Sequence, residues 1–483
     1  RGVKDFEGGN SLVFVTSYRE WDSQQKQHND EHGGTYSIFA NQPEIQKTTD
    51  IEVRLISPTG QFWEYLVGVY AHFRDSEFIQ QSQLLAPGCL YSRNTEGRVN
   101  SGAIADTTEA RSGCVGWWRN DFWQQDTTSY AGFGQVTANV TDAWSLIGGL
   151  RVTRDDKDAF KTVRNFGPDT PQNGFGASFG TNAFDDQVDN TETTWAFSAR
   201  YLPTGDGDSA GRFMTFGRVA KGYKSPGINA RPIRFAVIPT KFGPEESLNY
   251  EVGFKSTWLD QRATFNVTLF YSEFKELQQI VSNPASDPTG ALGTFVQNAG
   301  ELEHKGVEIE YDALATDWLR FFGALTYLDS EFKDFDGTVC PQLGDVPASV
   351  ANPALCDQTG LPNIRTPKWR MNHSVEVSGL FAGTGYGWFG RLSGIWVDDH
   401  YVSADRDFRS FQESFWIWNM SAGINSASGK WRAQFWMKNM DNEFWKRGIG
   451  NGAVPGNQGI RGSKVAYFGP PRTLGLEFIM TFD

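Results

Sequence analysis

Apolar and polar residues alternate along most of this chain with the period of a β-strand. Residues 262–274 show the pattern clearly, with Phe265, Val267, Leu269 and Tyr271 on one parity and Thr264, Asn266, Thr268 and Ser272 on the other. Since the side chains of a strand alternate between two faces, this segment has an apolar face and a hydroxyl- and amide-bearing face. Long strands of this kind, repeated down a whole chain, are typical of a transmembrane β-barrel.

The same alternation predicts an all-β chain with about sixteen antiparallel strands. They cover residues 10–20, 48–57, 62–74, 124–139, 144–155, 190–202, 212–223, 246–257, 262–280, 294–313, 318–332, 365–381, 386–398, 414–426, 430–444 and 472–482. Polar segments such as 21–47, 75–122 and 156–189 separate some of them. Connections are expected to alternate strictly between a few residues and roughly 15–45 residues, as in barrels with short periplasmic turns and long external loops.

The final strand sets the orientation of the predicted barrel. Leu474, Leu476, Phe478, Met480 and Phe482 share one face, and Thr473, Gly475, Glu477 and Thr481 share the other. A strand buried in a soluble sandwich is the alternative for this segment alone, but a secreted binding protein would need polar outward residues throughout. With a periplasmic C-terminus, strand 472–482 runs downward and strand 10–20 runs upward.

Bulk composition agrees with a barrel and excludes other classes. Mean hydropathy is −0.45, and no apolar run reaches the roughly 20 residues of a transmembrane helix. The 17 Trp, 15 Tyr and 37 Phe suit two interfacial aromatic girdles. A net charge of −13 argues against a nucleic-acid partner. No Pro-rich, Ser-rich or single-charge linker divides residues 1–483, so one domain is expected.

Several sequence blocks, taken together, resemble the barrel of TonB-dependent outer-membrane receptors. The blocks are Ala220–Gly227, the Pro-Glu-x-x-x-x-Tyr-Glu-x-Gly-x-Lys run at 244–255, Asn298–Gly300 with Lys305–Glu310, Lys438–Phe444 and Gly469–Leu476. They occur in the family's order. Within them, Gly253 and Gly306 fall at inward parity among bulky neighbours, where a side chain would crowd, while Glu251 and Lys255 are interpreted as solvated lumen residues.

The resemblance implies more structure than this chain supplies. Large transporters of this kind have 22-stranded barrels with a plugged lumen, and the family carries an N-terminal plug and a TonB box, neither of which is visible here. The chain opens on Arg1 and ends on Asp483, one residue after the expected terminal aromatic. We therefore expect residues 1–483 to be the C-terminal part of a receptor barrel, with the plug and about six strands upstream or on a separate chain.

Four cysteines fall in two predicted external loops. Cys89 and Cys114 lie in segment 75–122, and Cys340 and Cys356 lie in segment 333–364. Since the compartment is oxidising, two local disulfides, Cys89–Cys114 and Cys340–Cys356, are predicted among three possible connectivities. Neither pair has zinc-site spacing.

Other candidate chemistry is sparse. Trp117, Trp118, Phe122 and Trp123 form an aromatic cluster that either rises into the outer girdle or provides a stacking surface for an aromatic or sugar-like ligand. His28 and His32 sit in the first predicted loop, where they are interpreted as solvated rather than metal-binding. No nucleophile elbow, phosphate-binding loop or zinc-protease helix occurs, so neither an enzyme nor a cofactor is predicted.

Two functions remain open at this point. The resemblance implies a TonB-dependent importer of a bulky, scarce nutrient in the outer membrane of a Gram-negative cell, with a ferric siderophore as the first ligand class and cobalamin, oligosaccharides or aromatic compounds behind it. Its partners would be the lipid bilayer and the TonB energy-coupling complex. The alternative is a passive porin of about sixteen strands. In a porin, strand 10–20 should pair directly with strand 472–482, whereas in the receptor it should not.

Overall fold

The computed structural model describes residues 1–30, 37–84, 118–166, 182–203, 212–229, 240–282, 294–336, 356–404, 406–451 and 464–482. The strands of the first half are β1 (Gly2–Asp5), β2 (Ser11–Asp30), β3 (Ser37–Ile56), β4 (Trp63–Leu84), β5 (Trp118–Asn139), β6 (Trp144–Phe166), β7 (Asn182–Tyr201), β8 (Arg212–Lys224), β9 (Gly227–Ile228), β10 (Lys241–Phe242), β11 (Glu245–Trp258) and β12 (Ala263–Ser282).

The second half continues the same architecture. Its strands are β13 (Thr294–Thr316), β14 (Leu319–Asp334), β15 (Trp369–Leu380), β16 (Gly387–Val397), β17 (His400–Tyr401), β18 (Phe411–Gln412), β19 (Phe415–Asn425), β20 (Trp431–Lys438), β21 (Lys446–Asn451), β22 (Lys464–Phe468) and β23 (Thr473–Met480), with a 3-10 turn at Phe408–Ser410. Within the described ranges, no helix has the length and hydropathy of a membrane span.

One 17-stranded antiparallel sheet contains all the long strands. Each of them pairs with the next long strand along the chain, from β1 through β8, then β11 through β16, then β19, β20 and β23. Each predicted strand corresponds to one of these, and β1 is an additional strand that the alternation did not predict. The pairs β9–β10, β17–β18 and β21–β22 form separate two-stranded sheets inside connections.

The two edges of the sheet are not joined in the described part of the chain, where no ladder links β1 or β2 to β23. Both edge strands are open to solvent: all four residues of β1 are exposed, and on β23 Leu476 is 85% and Phe478 is 62% exposed. The direct ladder that the porin alternative requires is therefore not present among these residues.

The two faces of the sheet differ as the alternation predicts. On β12, Phe265 and Leu269 are exposed apolar residues on the outward face, whereas Thr268 pairs with Gly253 on the inward face. Most large exposed hydrophobic side chains along the other long strands, such as Val67 and Val252, follow the same outward parity, whereas Trp21 and Ile479 are exposed at inward parity. An apolar outward band with a mixed, polar inward face is the arrangement of a sheet that meets lipid on one side only.

Aromatic rings mark both borders of the outward band. Near the short turns lie Trp63, Trp144, Tyr201, Trp258, Trp318, Tyr386 and Trp431, and near the long connections lie Tyr327, Trp369, Trp396, Trp416 and Trp418. Neighbouring rings touch, as in the pair Trp416–Trp418, whose centroids are 5.0 Å apart. These two girdles bound the membrane-facing band, because amphipathic rings prefer the two lipid–water interfaces.

Two inward glycines accommodate rings from the adjacent strand. A Cβ atom on Gly253 would lie 2.2 Å from the Phe216 ring, and one on Gly306 would lie 2.7 Å from the Phe270 ring. Since real Cβ atoms do not approach so closely, a side chain at either position would force the neighbouring ring to shift. The predicted crowding at both glycines is confirmed.

The predicted lengths of several strands were wrong. Segment 21–47 is not a loop: β2 continues to Asp30 and β3 begins at Ser37, so only residues 31–36 lie between them and the strict short–long alternation fails there. Likewise β4, β6 and β7 extend into segments 75–122 and 156–189. Beyond the lipid both faces of a strand meet water, so the alternation disappears while the backbone ladder continues.

Candidate binding site on the inner wall

A single row of directly paired residues crosses the inward face of β2 to β7. The row reads Ser23, Glu44, Phe78, Trp123, Lys161 and Phe184, one residue from each successive strand. Directly opposed residues on one face have Cβ atoms roughly 4.5–5.5 Å apart. The register of six strands therefore assembles three rings, a cation and a carboxylate that are far apart in sequence.

The middle of this row, from Glu44 to Lys161, forms one wall of a cavity of about 230 Å³. The cavity is lined by Glu44, Arg74, Ser76, Phe78, Gln80, Asp121, Trp123, Gln125 and Lys161. It lies toward the end of β4 that leads into the long connection after Leu84, which is the external end in the predicted orientation. Since small-molecule pockets span roughly 300–1,000 Å³, this cavity is large enough for part of a bulky ligand rather than the whole of it.

The charges of the cavity are balanced. Two cationic side chains, Arg74 and Lys161, face two carboxylates, Glu44 and Asp121. Lys161 is only 1% exposed, whereas Arg74 is exposed to the cavity and its Nε donates to Ser76 Oγ at 3.0 Å. The Arg74 Nε also lies 2.7 Å from the Gln46 side-chain amide, which can accept from it, so an anionic group at Arg74 would share the guanidinium with that amide.

The connection between β8 and β11 folds inward beside this cavity. We call its described residues, 225–229 and 240–244, the inner strap. Ile228 packs in a buried cluster with Trp123 and Ala159, and Lys157 Nζ donates to the Pro226 carbonyl at 2.5 Å. The inner strap therefore covers the inward face of β5 and β6 next to the cavity.

Polar contacts hold both arms of the inner strap. The Asp186 carboxylate accepts from Thr240 Oγ1 and pairs with Lys241 Nζ at 2.5 Å. The Asn229 amide exchanges two hydrogen bonds with the backbone of Val296, at 2.8 and 2.7 Å. Because these bonds reach β7 on one side and β13 on the other, the strap is fixed across the inner wall.

Below the cavity the inner wall carries a polar network. Asp50 accepts from Tyr70 Oη at 2.6 Å and Ser17 Oγ at 3.0 Å, and its Oδ1 lies 2.9 Å from His72 Nδ1. The guanidinium of Arg151 lies over the Tyr70 ring, 5.2 Å from its centroid. Such satisfied inward polar groups are expected where a barrel wall borders water or another polar surface.

Four buried polar atoms have no hydrogen-bond partner among the described residues. They are Arg54 Nε, Asn190 Nδ2, Asn249 Oδ1 and His304 Nε2, and all four residues occupy inward parity. An unpaired buried polar atom costs roughly 1–3 kcal/mol. Within the described ranges, all four atoms of this kind therefore lie on the inward side of the wall and none lies on its membrane-facing side.

A second region of packed side chains lies where strands β14 to β20 lead into the long connections. We call its described residues, 356–368, 398–404, 406–414 and 439–451, the loop bundle. Arg406, only 3% exposed, donates to Gln358 Oε1 at 2.9 Å and to the Pro362 carbonyl. Burial lowers the pKa of Arg406 to about 10, so its guanidinium stays charged at neutral pH. Lys446 Nζ donates to the Phe411 carbonyl at 2.7 Å, which ties two connections together.

The cysteines predicted to pair are only partly described. Cys356 is buried and disulfide-bonded, but its partner lies outside the described residues, as do Cys89, Cys114 and Cys340. Both predicted pairings therefore stay predictions. His32 is also outside the described residues, and no group of three or more His, Cys, Asp or Glu side chains within the described ranges is arranged to hold a metal.

The aromatic cluster predicted from residues 117–123 does not form one surface. Trp117 and the side chain of Trp118 lie outside the described residues. Phe122 contacts Phe160 on the outward face, with ring centroids 6.3 Å apart, whereas Trp123 lines the inward cavity. Adjacent strand residues point to opposite faces, so the run divides between the two faces. Phe78, Lys161 and the inner strap were missed because only strand register shows them beside Trp123.

Comparison with known proteins identifies the architecture. A family model described as TonB dependent receptor-like, beta-barrel, matches residues 5–440. The metal-pseudopaline receptor CntO of Pseudomonas aeruginosa is 33% identical over 91 residues, which is 19% of this chain and 12% of that protein.

Solved structures show the same fold. The ferric yersiniabactin uptake receptor FyuA from Yersinia pestis matches 98% of this chain with a TM-score of 0.68 at 16% identity, and the match covers 59% of FyuA. The siderophore receptor PiuA from Acinetobacter baumannii matches 99% of the chain with a TM-score of 0.63 at 14% identity, covering 62% of PiuA. The chain thus spans about three fifths of the length of these receptors.

Proposed function

The chain belongs to the TonB-dependent receptor family of β-barrels, and we propose on that premise that it forms the transport wall of an importer for a ferric siderophore. Members of the family are outer-membrane transporters rather than enzymes, so the aromatic-bordered band of this sheet lies in the outer membrane. A bulky metal chelate is the substrate class that we assign, with the cavity on β3 to β6 as one part of its binding surface.

The family match over residues 5–440 is the observation that carries the proposal. A passive porin closes by pairing its first and last strands, but within the described residues no ladder joins β1 or β2 to β23. Open sheet edges leave backbone groups without partners in lipid, so further strands would be needed to close such a barrel. We propose that about six strands complete it and that its lumen holds a plug domain, upstream of residue 1 or on a separate chain, through which the TonB energy-coupling complex acts.

The comparisons support the ligand class without determining the ligand. FyuA is named for ferric yersiniabactin uptake, PiuA is named as a siderophore receptor, and CntO is named as a metal-pseudopaline receptor. The cavity supports the same class, because it combines rings with an exposed guanidinium in a space that fits part of a large chelate. TonB, the plug and the siderophore are proposed partners of this chain on these grounds.

Uptake of radioactive iron tests the proposal. Cells that express the receptor should accumulate ⁵⁵Fe supplied as siderophore complexes, and removal of TonB or addition of a proton uncoupler should abolish accumulation. Binding at the cell surface should persist under both treatments. Accumulation that continues without TonB would instead support the passive channel, which needs no energy coupling.

A further inference from the structure

The external part of β7 is paired on one side only. Its ladder with β6 runs from one end of the strand to the other, whereas its ladder with β8 covers only residues 195–201. Within the described ranges, no ladder joins residues 185–194 on the β8 side, and we call this stretch the open edge. The Gln187 N–H, for example, donates only to the carboxylate of its neighbour Asp186, at 3.1 Å. Every second N–H and C=O of the open edge therefore points sideways out of the sheet.

Strand β8 leaves the open edge and passes to the inner side of the wall. Its ladder with β11 continues to Lys224, whereas its last rung with β7 is at Lys221. Tyr223 lies in this extra stretch, and its Oη donates to Asp155 Oδ2 at 2.7 Å. Asp155 has the same inward parity on β6 as Lys161. The end of β8 is therefore held behind β7 rather than beside it.

The inner strap supports the open edge from the inward side. Val188 packs against the buried cluster that contains Ile228, and Asp186 pairs with Lys241 Nζ at 2.5 Å. Both contacts are made by inward side chains, so they hold the strand in place without using its sideways backbone groups. A partner that added to this edge would find it already ordered, which lowers the entropic cost of binding.

The open edge lies outside the lipid band. Lower on the same strand, Phe197 faces outward and is 64% exposed. Along the open edge the outward positions are instead all polar and exposed: Asp185, Gln187, Asp189, Thr191 and Thr193. Because an apolar outward face ends where the lipid ends, the open edge is accessible from the cell exterior in the predicted orientation.

The surface beside the open edge is acidic. Asp185 forms no ion pair with any described residue. Asp189 shares Arg154 with Asp156 of β6, and its side chain remains 59% exposed. Asp158 adds a further carboxylate at outward parity on β6. One arginine thus faces four carboxylates on this side of the two strands.

The sequence of the open edge favours one kind of partner. Residues 185–194 contain no proline, glycine, lysine or arginine, and their ladder with β6 has no bulge, so common devices that block strand addition are missing. They carry the carboxylates of Asp185, Asp186, Asp189 and Glu192. A second copy of this edge would place carboxylates against carboxylates, and directly opposed like charges are destabilising. A basic strand would place cations there instead.

We propose that the open edge of β7 is a docking site for an extended, basic peptide segment of a protein outside the cell, which adds to the sheet as one more strand. Backbone hydrogen bonds would supply most of the affinity, and lysine or arginine side chains beside Asp185 and Asp189 would supply the selectivity. The site lies on a strand edge rather than in the inner-wall cavity, and it goes beyond the proposed import function.

Hydrogen exchange of the receptor in detergent, with a synthetic peptide added, tests the site. The probe is a short peptide in which lysine alternates with valine or threonine. One control peptide has a central proline, which removes a ladder donor, and another has glutamate in place of lysine. The receptor variants are Asp185→Asn with Asp189→Asn, and the matched control Asp75→Asn with Glu77→Gln. The control pair removes two outward carboxylates from β4, three strands away.

We expect the lysine peptide to slow exchange about tenfold at every second amide of residues 185–193, since alternate N–H groups of a strand point to the same edge. Affinity, measured by fluorescence anisotropy of the labelled peptide, should fall about fivefold in the β7 variant and stay within about twofold in the β4 variant, because charges on β4 are screened at that separation. The proline and glutamate peptides should give little protection.

Slow exchange at these amides before any peptide is added would show that the edge is already paired, within the chain or with a second copy, and would overturn the docking site. Binding without protection of β7 would overturn it as well, and so would equal binding of the proline peptide. Equal binding of the glutamate peptide, or equal losses in the two receptor variants, would overturn the basic character of the partner. None of these results bears on chelate import, which is measured separately by iron uptake.

Discussion

The two ends of the sheet use their external residues in different ways. Strands β2 to β7 are 20–23 residues long and continue as paired strands beyond the outer aromatic girdle. Strands β15, β16, β19, β20 and β23 are only 8–12 residues long, and their connections fold into the loop bundle. We call the first region the long-strand wall and the second the short-strand wall.

This difference shows two solutions to one requirement, because every backbone group above the membrane needs a partner. In the long-strand wall the ladder itself supplies the partners, and the inward parity is left free to form a cavity. In the short-strand wall buried side chains supply them: Asn439 Nδ2, for example, donates to the Glu443 carbonyl at 2.9 Å and the Pro470 carbonyl at 3.1 Å. The first solution leaves a cavity on the inner wall, and the second packs the connections against one another.

The membrane band should not distinguish the short-strand wall from the rest of the sheet, and this is the largest effect that we predict. Leu269→Arg on β12 and Leu392→Arg on β16 both place a charge on the outward apolar face. Each should lower the free energy of unfolding by about 2–4 kcal/mol, since an arginine near the bilayer midplane costs that much. Reversible denaturant unfolding in lipid vesicles measures it.

The inward neighbour Thr268→Arg is the control for this pair, and it should cost much less because its side chain meets the lumen. Equal costs at residues 268 and 269 would contradict the assignment of the two faces.

The loop bundle should depend on one buried cation. Arg406→Ala removes the donors that serve Gln358 Oε1 and the Pro362 carbonyl, and unsatisfied buried acceptors cost roughly 1–3 kcal/mol. We expect the loop bundle to lose about 2–3 kcal/mol of local stability, measured by hydrogen exchange at the amides of residues 402–412. Exchange in the long-strand wall should stay unchanged. Arg154→Ala, which alters an arginine side chain that is 51% exposed, is the matched control and should have little effect.

Loosening the inner strap should cost less stability than loosening the loop bundle. Asp186→Asn removes the ion pair with Lys241, whose ammonium is half-exposed, so the expected cost is about 0.5–1 kcal/mol. Faster hydrogen exchange at Asn229 and Gly243 would report the looser strap. Asp189→Asn, on the outward face of the same strand, serves as the control and should leave these amides unchanged. Identical exchange in both variants would show that Asp186 does not hold the strap.

The disulfide pairings have the smallest expected effect on the difference between the two walls. Non-reducing peptide mapping should find Cys340 linked to Cys356, which would fasten the loop bundle, and Cys89 linked to Cys114 above the long-strand wall. A link between the two regions, such as Cys114 to Cys356, would instead make them a single external structure.

Residue alternation was sufficient for the membrane part of the fold. The apolar parity of Phe265, Val267 and Leu269 has a direct physical cause, since one strand face meets lipid, and the crowding at Gly253 and Gly306 followed from the same parity. The parts of the strands that extend beyond the membrane gave no such signal. There both strand faces carry polar residues, which resemble a loop in sequence, although Ser23 and Glu44, for example, are paired in a ladder.

The candidate site could not be predicted because it depends on register. Phe78, Trp123 and Lys161 are neighbours only once three strands are aligned, and a shift of one residue would turn each to the other face. The adjacent aromatics Trp117, Trp118, Phe122 and Trp123 were conspicuous in the sequence, but the strand separates Phe122 from Trp123. The inner strap was missed for a similar reason, since Ile228 reaches Trp123 only through tertiary packing.

The most direct test of this account asks which region binds the ligand. Trp123→Leu removes the ring of the long-strand wall, and Trp436→Leu removes a half-buried inward ring of the short-strand wall on β20. Titration of the receptor with ferric 2,3-dihydroxybenzoate should show an affinity loss of at least about tenfold for Trp123→Leu and less than about twofold for Trp436→Leu. A larger loss for Trp436→Leu, or equal losses in the two variants, would contradict a binding site on the long-strand wall.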